Sequence, residues 1–319
     1  MTLETEKFMN YFKLIKAALD ASLGPICRHK NIAVDQAPQA VKQHLGEMNK
    51  EWFGYDPAEI NYGDPLCRFA YLFAHTAANA NLCEIAIRES PDVCRLIEQR
   101  AAEGELKVCA FGGGPGTELL ALSKHLWTTR PNGLHLQVTF HLLDRVNEWL
   151  ETWQALDSEI KSILNAKYGH FPKQPFSTSG YFITNEMTKP HQYVNLPVLF
   201  SQDLFFFNYA AFEITGGNAN YHATNPQFLQ LVTSAVGACK SGSKFIITDR
   251  DQDSVIANSR QLLEGAGLQV NEIGKVCRRM DDGVQPAAVR DNGQRRSPLC
   301  GRRAANRPPP KAPPFGSQE

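Results

Sequence analysis

A cluster of glycines between an apolar run and a helical pattern is the part of this sequence best suited to hold a ligand. Residues 107–118 read KVCAFGGGPGTE, and strand-like residues give way to Gly112, Gly113, Gly114 and Gly116 before leucines recur at helical spacing. Glycine allows backbone conformations and close ligand approach that a Cβ atom would block. A glycine loop after a buried strand is a common nucleotide-binding element. We therefore predict a strand, a glycine loop and a helix, with a ligand against the loop.

The glycine spacing narrows the class of ligand. The loop does not fit GxxxxGK[ST], the phosphate-binding pattern of nucleoside triphosphatases. It also fails the dinucleotide pattern GxGxxG, because Thr117 stands at the third glycine position. The spacing present is GxGxG. Pro115 removes one backbone N–H, which weakens a phosphate nest but matters less for a ligand carrying a carboxylate and a ribose. A tight strand-to-helix turn without a ligand is the alternative interpretation.

An acidic residue at the end of the next predicted strand is a second candidate ligand contact. In LHLQVTFHLLD, apolar residues alternate up to Leu143 and Asp144. Ligands of parallel sheets lie outside the carboxyl ends of the strands, where such an acid accepts hydrogen bonds from ribose hydroxyls. We favour ribose binding for Asp144. The alternative is that it caps the helix that follows.

Four further strands are predicted downstream. YFITNEMT is the third, and DLFFFNYAAF is the fourth, whose continuous apolar run suits a strand buried on both faces and delivers Asn208 and Tyr209 to the cleft. KFIITD is the fifth, and LQVNEIGKV is predicted as a sixth. Strands that alternate with helices indicate an α/β fold, a Rossmann-like, mostly parallel sheet with helices on both faces.

Taken together, residues 106–276 resemble the class I S-adenosylmethionine-dependent methyltransferases. The resemblance rests on the GxGxG loop, on Asp144 and on the strand order. It implies S-adenosylmethionine as cofactor, with Asp144 on its ribose and either Glu186 or Asn185 at the adenine amine; solvated loop residues are an equally good interpretation of the latter two. The glycines implied to admit the cofactor are Gly112, Gly113, Gly114 and Gly116. Asn208 and Tyr209 are implied to line the methyl-transfer site.

The sequence departs from this family at several points. Many members carry an acid two residues before the first glycine, where it helps to hold the methionine end of the cofactor, and here that residue is Ala110. NYAAF replaces the [DN]PP[YF] motif of the amine-methylating subclass, and no sequence for a seventh strand is found. The GGGPG form resembles eukaryotic ribosomal-RNA uridine methyltransferase-like proteins, which suggests RNA as acceptor. A catalytically inactive methyltransferase-like binding or scaffold protein and a nicotinamide oxidoreductase are the competing hypotheses.

The residues before the glycine loop, 1–105, are predicted to form a helical N-terminal cap. Asp64 followed by Pro65, and Ser90 followed by Pro91, are helix-start signals. In methyltransferases of this layout such a segment covers the cofactor or shapes the acceptor pocket. Tyr62, Gly63 and Arg68 are its most site-like residues, although a turn with a solvated arginine is the favoured interpretation.

Two segments beyond the fourth strand complete the predicted organisation. The loop EITGGNANYHATN has the length and composition of a lid or substrate loop, with Glu213, Tyr221 and His222 as acid or base candidates. Residues 281–319 hold seven prolines, four glycines and seven lysines or arginines, which predicts a disordered tail. The predicted domains are therefore the cap at 1–105, the cofactor-binding domain at 106–280 and the tail at 281–319.

Bulk composition favours an intracellular protein without a membrane segment. The net charge of +0 gives no global attraction to nucleic acid or lipid. The start MTLETEKF lacks the apolar run of a secretory signal, and no segment reaches the length of a spanning helix. Eight cysteines occur without CxxC pairs, so we expect reduced core thiols and no metal site.

Overall fold

A computed structural model describes most of the chain before residue 271. The described residues are 10–54, 60–130, 134–168, 174–187, 189, 198, 201–209, 212, 214, 226–249 and 253–270. All of them fall within one compact unit that spans residues 1–285. Among the helices built from them, none is long and apolar enough to cross a membrane.

A five-stranded parallel sheet forms the centre of the fold. Its strands are β1 (Glu105–Phe111), β2 (Leu136–Asp144), β3 (Phe176–Thr184), β4 (Leu204–Asn208) and β5 (Lys244–Thr248). Their order is β3-β2-β1-β4-β5, and every pairing is parallel. The chain adds strands to one side of β1 and then to the other, so the order reverses between β1 and β4. The loops at the carboxyl ends of these two strands diverge there and leave a crevice.

Helices cover both faces of the sheet. The α-helices of the described residues are α1 (Tyr11–Lys30), α2 (Ala37–Gly54), α3 (Pro65–Tyr71), α4 (Ala77–Arg88), α5 (Pro91–Glu103), α6 (Thr117–Thr129), α7 (Trp149–Tyr168), α8 (Pro226–Ala238) and α9 (Asp253–Gly265). Alternate residues of β1 divide between the faces: Val108 and Ala110 join the core formed with α6 and α7, whereas Cys109 and Phe111 join the core formed with α8 and α9. This alternation confirms the predicted α/β class with a sheet buried on both faces.

The N-terminal helices pack into the same core as the sheet. Tyr11, Leu14 and Ala18 of α1 and Ala80 and Cys83 of α4 belong to the cluster that includes β1 and α6. The predicted start signals lie at real helix starts: Asp64 caps α3 by accepting a hydrogen bond from the Leu66 N–H over 2.9 Å, and Ser90 precedes α5. A π-helical turn at Leu72–Thr76 joins α3 to α4. The predicted cap is thus a helical layer that shares its packing with the sheet.

Two strand boundaries differ from the sequence-based expectation. β3 begins at Phe176, whereas YFITNEMT placed its start at Tyr181 and extended it past Thr184. Residues 268–270, the described part of the predicted sixth strand, are not in a strand, and the remainder lies outside the described residues. The predicted tail at 281–319 also lies outside them. The predictions for β1, β2, β4 and β5 are confirmed in type and position.

Candidate functional site

A cavity of about 270 Å³ opens at the carboxyl end of the sheet, where the strand order reverses. The glycine loop, the end of β2, the segment after β3 and the end of β4 all contribute to its wall. The described residues that line it are Tyr62, Tyr71, Gly112, Gly113, Gly114, Pro115, Thr117, Glu118, Asp144, Arg145, Val146, Trp149, Asn185, Glu186, Met187, Asn208 and Ile214. This location is the usual ligand site of open parallel sheets.

The glycine loop needs its glycines for two different reasons. Gly112, Gly114 and Gly116 have φ values of 65°, 46° and 84°, a region that residues with a Cβ rarely adopt. A Cβ on Gly116 would lie 2.6 Å from Trp153 Cδ1, so this glycine lets the indole of α7 pack against the loop. A Cβ on Gly114 would make only ordinary contacts, with Trp149 at 3.9 Å and the Gly112 carbonyl oxygen at 4.0 Å. Gly114 lines the cavity whereas Gly116 does not, so only the former can sit directly against a ligand.

Asp144 joins the end of β2 to the glycine loop. Its Oδ2 accepts a hydrogen bond from the Gly114 N–H over 3.0 Å, and its Oδ1 accepts one from the Val146 N–H over 2.9 Å. Burial raises the pKa of Asp144 to about 6, although both donors act to lower it. Each carboxylate oxygen can accept a second hydrogen bond, so the group can still bind hydroxyls. Helix α7 starts at Trp149, so Asp144 closes a turn before the helix and does not cap it.

Glu118 is a cavity residue that the sequence did not single out. It lies in the first turn of α6, is 1% exposed, and lines the cavity. Burial raises its pKa to about 8, and the charge of Asp144 adds to the shift, whereas its own backbone N–H and the Asn208 side chain donate to it and oppose the shift. Within the part of the chain that the structure describes, its Oε2 atom has no hydrogen-bond partner.

The two predicted methyl-transfer residues differ in placement. Asn208, the last residue of β4, lines the cavity, and its Oδ1 accepts a hydrogen bond from the Thr248 hydroxyl over 2.6 Å while its amide donates to Glu118. Tyr209 has φ 60°, donates its N–H to the Thr248 carbonyl over 2.7 Å, and is absent from the described cavity lining. The structure therefore brings Asn208, but not Tyr209, to the predicted cofactor loop.

The segment after β3 reaches the cavity as expected. Asn185 is 6% exposed, and its N–H binds the Asp144 carbonyl over 2.7 Å, which fixes this turn beside the end of β2. Its side chain accepts a hydrogen bond from the Glu186 N–H over 2.8 Å. Asn185 and Glu186 both line the cavity on the side of Asp144. The predicted acidic and amide residues thus lie where the β2 and β3 ends meet.

Aromatic residues from the helical cap close the cavity opposite the sheet. The ring centroids of Tyr62 and Tyr71 lie 5.3 and 5.4 Å from that of Trp149, and all three side chains line the cavity. Arg68 is 5% exposed and donates to the carbonyls of Tyr62 and Gly63, each over 2.9 Å. The expectation of a solvated arginine is wrong: the buried guanidinium holds the turn that presents Tyr62. Of the three cap candidates, only Tyr62 reaches the cavity.

Several residues of the cavity were not expected from the sequence. They are Glu118, Trp149, Tyr71, Arg145, Val146 and Met187. For Glu118 a signal was present: an acid directly after the glycine loop leads a helix whose next residues are apolar on every side. Glu213, Tyr221 and His222 lie outside the described residues. Ala110 is fully buried in β1, so that position supplies no polar group to the site.

Comparison with known proteins adds no relative. No protein-family model, no curated protein and no solved structure matches the chain. The fold and the cavity define an α/β protein with a Rossmann-like parallel sheet and a candidate ligand site at its topological switch point.

Proposed function

We propose that this chain is an S-adenosylmethionine-dependent methyltransferase. The observation that carries the proposal is the meeting of the GxGxG loop with the acid of β2. The Gly114 N–H donates to Asp144 Oδ2 over 3.0 Å, and both residues line one cavity at the carboxyl end of the sheet. A ligand can therefore approach the glycine backbone closely while Asp144 accepts hydrogen bonds from its hydroxyls. A nucleoside that carries a further polar group needs both features.

The residues present suit the cofactor chemically. Asp144 retains acceptor capacity for ribose hydroxyls, Asn185 and Glu186 offer polar groups beside it, and Gly114 allows close approach. The orphaned Oε2 of Glu118 marks a buried polar group that still lacks a partner among the described residues. When bound, S-adenosylmethionine supplies an activated methyl group on a sulfonium. The protein's part is to hold donor and acceptor in line and to exclude water.

For the methyl acceptor we propose only a class of molecule, and RNA is the class to test first. Its support is the resemblance of the GGGPG loop to ribosomal-RNA uridine methyltransferase-like proteins. The aromatic wall of Tyr62, Tyr71 and Trp149 is compatible with a planar acceptor, because bases stack on such rings.

Transfer of a labelled methyl group tests the activity. Purified chain is incubated with methyl-tritiated S-adenosylmethionine and, separately, with total RNA, with a protein extract and with a small-molecule fraction. The proposal expects label in one fraction with the wild type and none with Gly114→Arg, which fills the loop. Preferential binding of NAD⁺ over S-adenosylmethionine contradicts the proposal and supports the oxidoreductase hypothesis.

A second candidate function is a methyltransferase-like binding or scaffold protein without catalysis. One observation favours it: the Asn208 side-chain oxygen already accepts a hydrogen bond from the Thr248 hydroxyl over 2.6 Å, which leaves this residue less freedom to orient an acceptor. Tight cofactor binding without methyl transfer to any of the three fractions is the outcome that this candidate predicts. Transfer to one of them excludes it.

A further inference from the structure

A buried carboxyl in the cavity wall has no ligand group assigned to it in the proposal above. Glu118 is 1% exposed, yet it lines the cavity and its Oε2 has no hydrogen-bond partner among the described residues. An unsatisfied buried carboxyl costs free energy, and native structures keep few such groups. Its burial and its place in the wall indicate that a ligand group completes its hydrogen bonding.

The surroundings of Glu118 hold it in position. The Asn208 side chain lowers the pKa of this carboxyl, and Asn208 is itself fixed by the Thr248 hydroxyl at 2.6 Å. The Thr248 hydroxyl in turn lies 3.7 Å from Cys83 Sγ of α4. The polar contacts therefore run from the cap helix through β5 and β4 to Glu118. The side chains of α4, β5 and β4 thus restrict the position of this carboxyl. Because one of its oxygens lacks a partner, it can accept a hydrogen bond from a ligand.

The charge pattern around Glu118 specifies the kind of donor. The amino end of α6 lies at the cavity through Pro115, Thr117 and Glu118, and a helix amino end favours a negative group. A positive group beside the Glu118 carboxyl lowers its pKa from about 8 and so stabilises the charged carboxylate, which then accepts hydrogen bonds from that group. A ligand that carries an ammonium and a carboxylate on one carbon satisfies both. That group is an α-amino acid head.

We infer that Glu118 binds the α-ammonium group at the amino-acid end of the ligand, and this inference rests on the proposed function. Ala110 stands where many members of the resembled family carry the acid that serves this end, and it is fully buried. Glu118 lies just beyond the other end of the glycine loop. It supplies a carboxylate to the cavity from the helix in place of the missing acid on the strand.

Two ligands that differ in the amino-acid head separate this role from a structural one. S-adenosylhomocysteine carries the head, and 5′-methylthioadenosine lacks it. Dissociation constants of both are measured by calorimetry for the full-length wild type, for Glu118→Gln and for Glu84→Gln. Glu84 is a matched control, since it is a buried carboxyl on α4 that accepts from the Tyr11 hydroxyl over 2.8 Å and does not line the cavity.

The expected result is selective. Glu118→Gln weakens S-adenosylhomocysteine binding about 10- to 100-fold, the range of a hydrogen bond to a charged group, and changes 5′-methylthioadenosine binding less than about twofold. Glu84→Gln changes neither. Equal weakening of both ligands by Glu118→Gln assigns the residue a structural role and overturns the inference, as does undiminished binding of S-adenosylhomocysteine.

The proposed function can fail separately. If the folded wild type binds neither ligand, both the proposed function and the inference are contradicted. If the wild type binds both ligands and Glu118→Gln binds them as tightly as the wild type does, only the inference is contradicted. Should Glu118→Gln not fold, the wild type decides alone. It is expected to bind S-adenosylhomocysteine at least about 10-fold more tightly than the desamino analogue of that ligand, and equal affinities overturn the inference.

Discussion

The two ends of the sheet bury carboxyl groups in opposite ways. At the amino end, Asp203 is 1% exposed and accepts hydrogen bonds from Arg100 Nε over 2.9 Å, the Lys107 N–H over 2.9 Å and Lys240 Nζ over 3.3 Å. At the carboxyl end, Glu118 is equally buried but has an unpartnered oxygen within the described structure. Saturated partners indicate that Asp203 has a structural role. Glu118 lines a cavity, where a ligand can supply the missing hydrogen bond.

The largest expected effect is the loss of the structural carboxylate. Asp203→Ala removes one of the two acidic partners of Arg100, which keeps Glu103, and leaves the Lys107 N–H without its acceptor, so we expect a loss of about 3–5 kcal/mol in the free energy of unfolding. Urea unfolding measures it. Asp20→Ala, which removes an exposed ion pair with Lys16, is the control and is expected to cost less than about 1 kcal/mol. A comparable cost for both variants contradicts the structural role of Asp203.

The Glu118 carboxyl is expected to destabilise the fold as pH rises. Its pKa is raised from 4.5 to about 8, so between these values the folded state holds a proton that the unfolded state has released. Stability therefore falls with rising pH, by at most about 1.4 kcal/mol per pH unit, and the penalty is complete above pH 8. Glu118→Gln removes this titration, so its stability relative to wild type should rise between pH 5 and pH 8 in chemical unfolding.

The comparison of the two proteins at each pH cancels the titrating groups that do not interact with Glu118; Asp144, whose charge acts on Glu118, is the exception. A stability difference between Glu118→Gln and wild type that stays constant from pH 5 to pH 8 contradicts the buried, proton-holding state of Glu118. A difference of the opposite slope indicates a depressed pKa and a salt-bridged carboxylate.

A glycine-to-alanine substitution should change the stability of the protein differently in the glycine loop and on an exposed helix. Gly116→Ala places a Cβ 2.6 Å from Trp153 Cδ1 at φ 84°, and we expect a loss of about 1–3 kcal/mol. Gly237→Ala in α8 meets nothing within 4 Å and is expected to be neutral or stabilising by up to about 1 kcal/mol. Thermal melting of both variants decides. Equal melting temperatures mean that Trp153 does not pack against the loop.

The ribose assignment carries the smallest expected effect. Asp144→Ala should weaken S-adenosylmethionine binding by more than about 1 kcal/mol, because it removes a charged hydrogen-bond acceptor. Asp157→Ala is the matched control: Asp157 is 8% exposed on α7, accepts from the Thr178 hydroxyl over 2.6 Å and does not line the cavity. Calorimetric titration compares the variants, and unchanged affinity in folded Asp144→Ala removes the ribose assignment.

Much of the sheet was predictable because its strands carry strong local signals. The apolar run of β4, the alternation in β2 and the glycines after β1 each fix an element without help from the rest of the fold. β3 was only partly predictable. Its first half, FSTSG, is polar and contains Gly180, which reads as a break in a strand. The structure shows why glycine stands there: a Cβ on Gly180 would lie 2.3 Å from Trp153 Cζ2.

The site residues that follow the ends of strands could be predicted from the sequence. The side chains that are buried by packing between helices could not. Gly114, Asp144, Asn185 and Asn208 follow strands, and parallel strands bring their carboxyl ends together. Glu118 is buried on α6, and α6 packs against the cap helix α4, a tertiary contact that the sequence pattern around Glu118 does not encode. Arg68 donates to the carbonyls of Tyr62 and Gly63 in the turn just before its helix, and its tertiary partner is the Glu151 carboxylate of α7, 3.3 Å away.

Calorimetric titration of the full-length chain with S-adenosylmethionine tests the central claim most directly. Three proteins are compared: the wild type, Gly114→Arg, which places a long side chain in the cavity wall, and Gly237→Arg, which places the same side chain on the exposed surface of α8. The account predicts saturable binding to the wild type and Gly237→Arg, and none to folded Gly114→Arg. Absence of binding to folded wild type, or binding that survives Gly114→Arg, contradicts it.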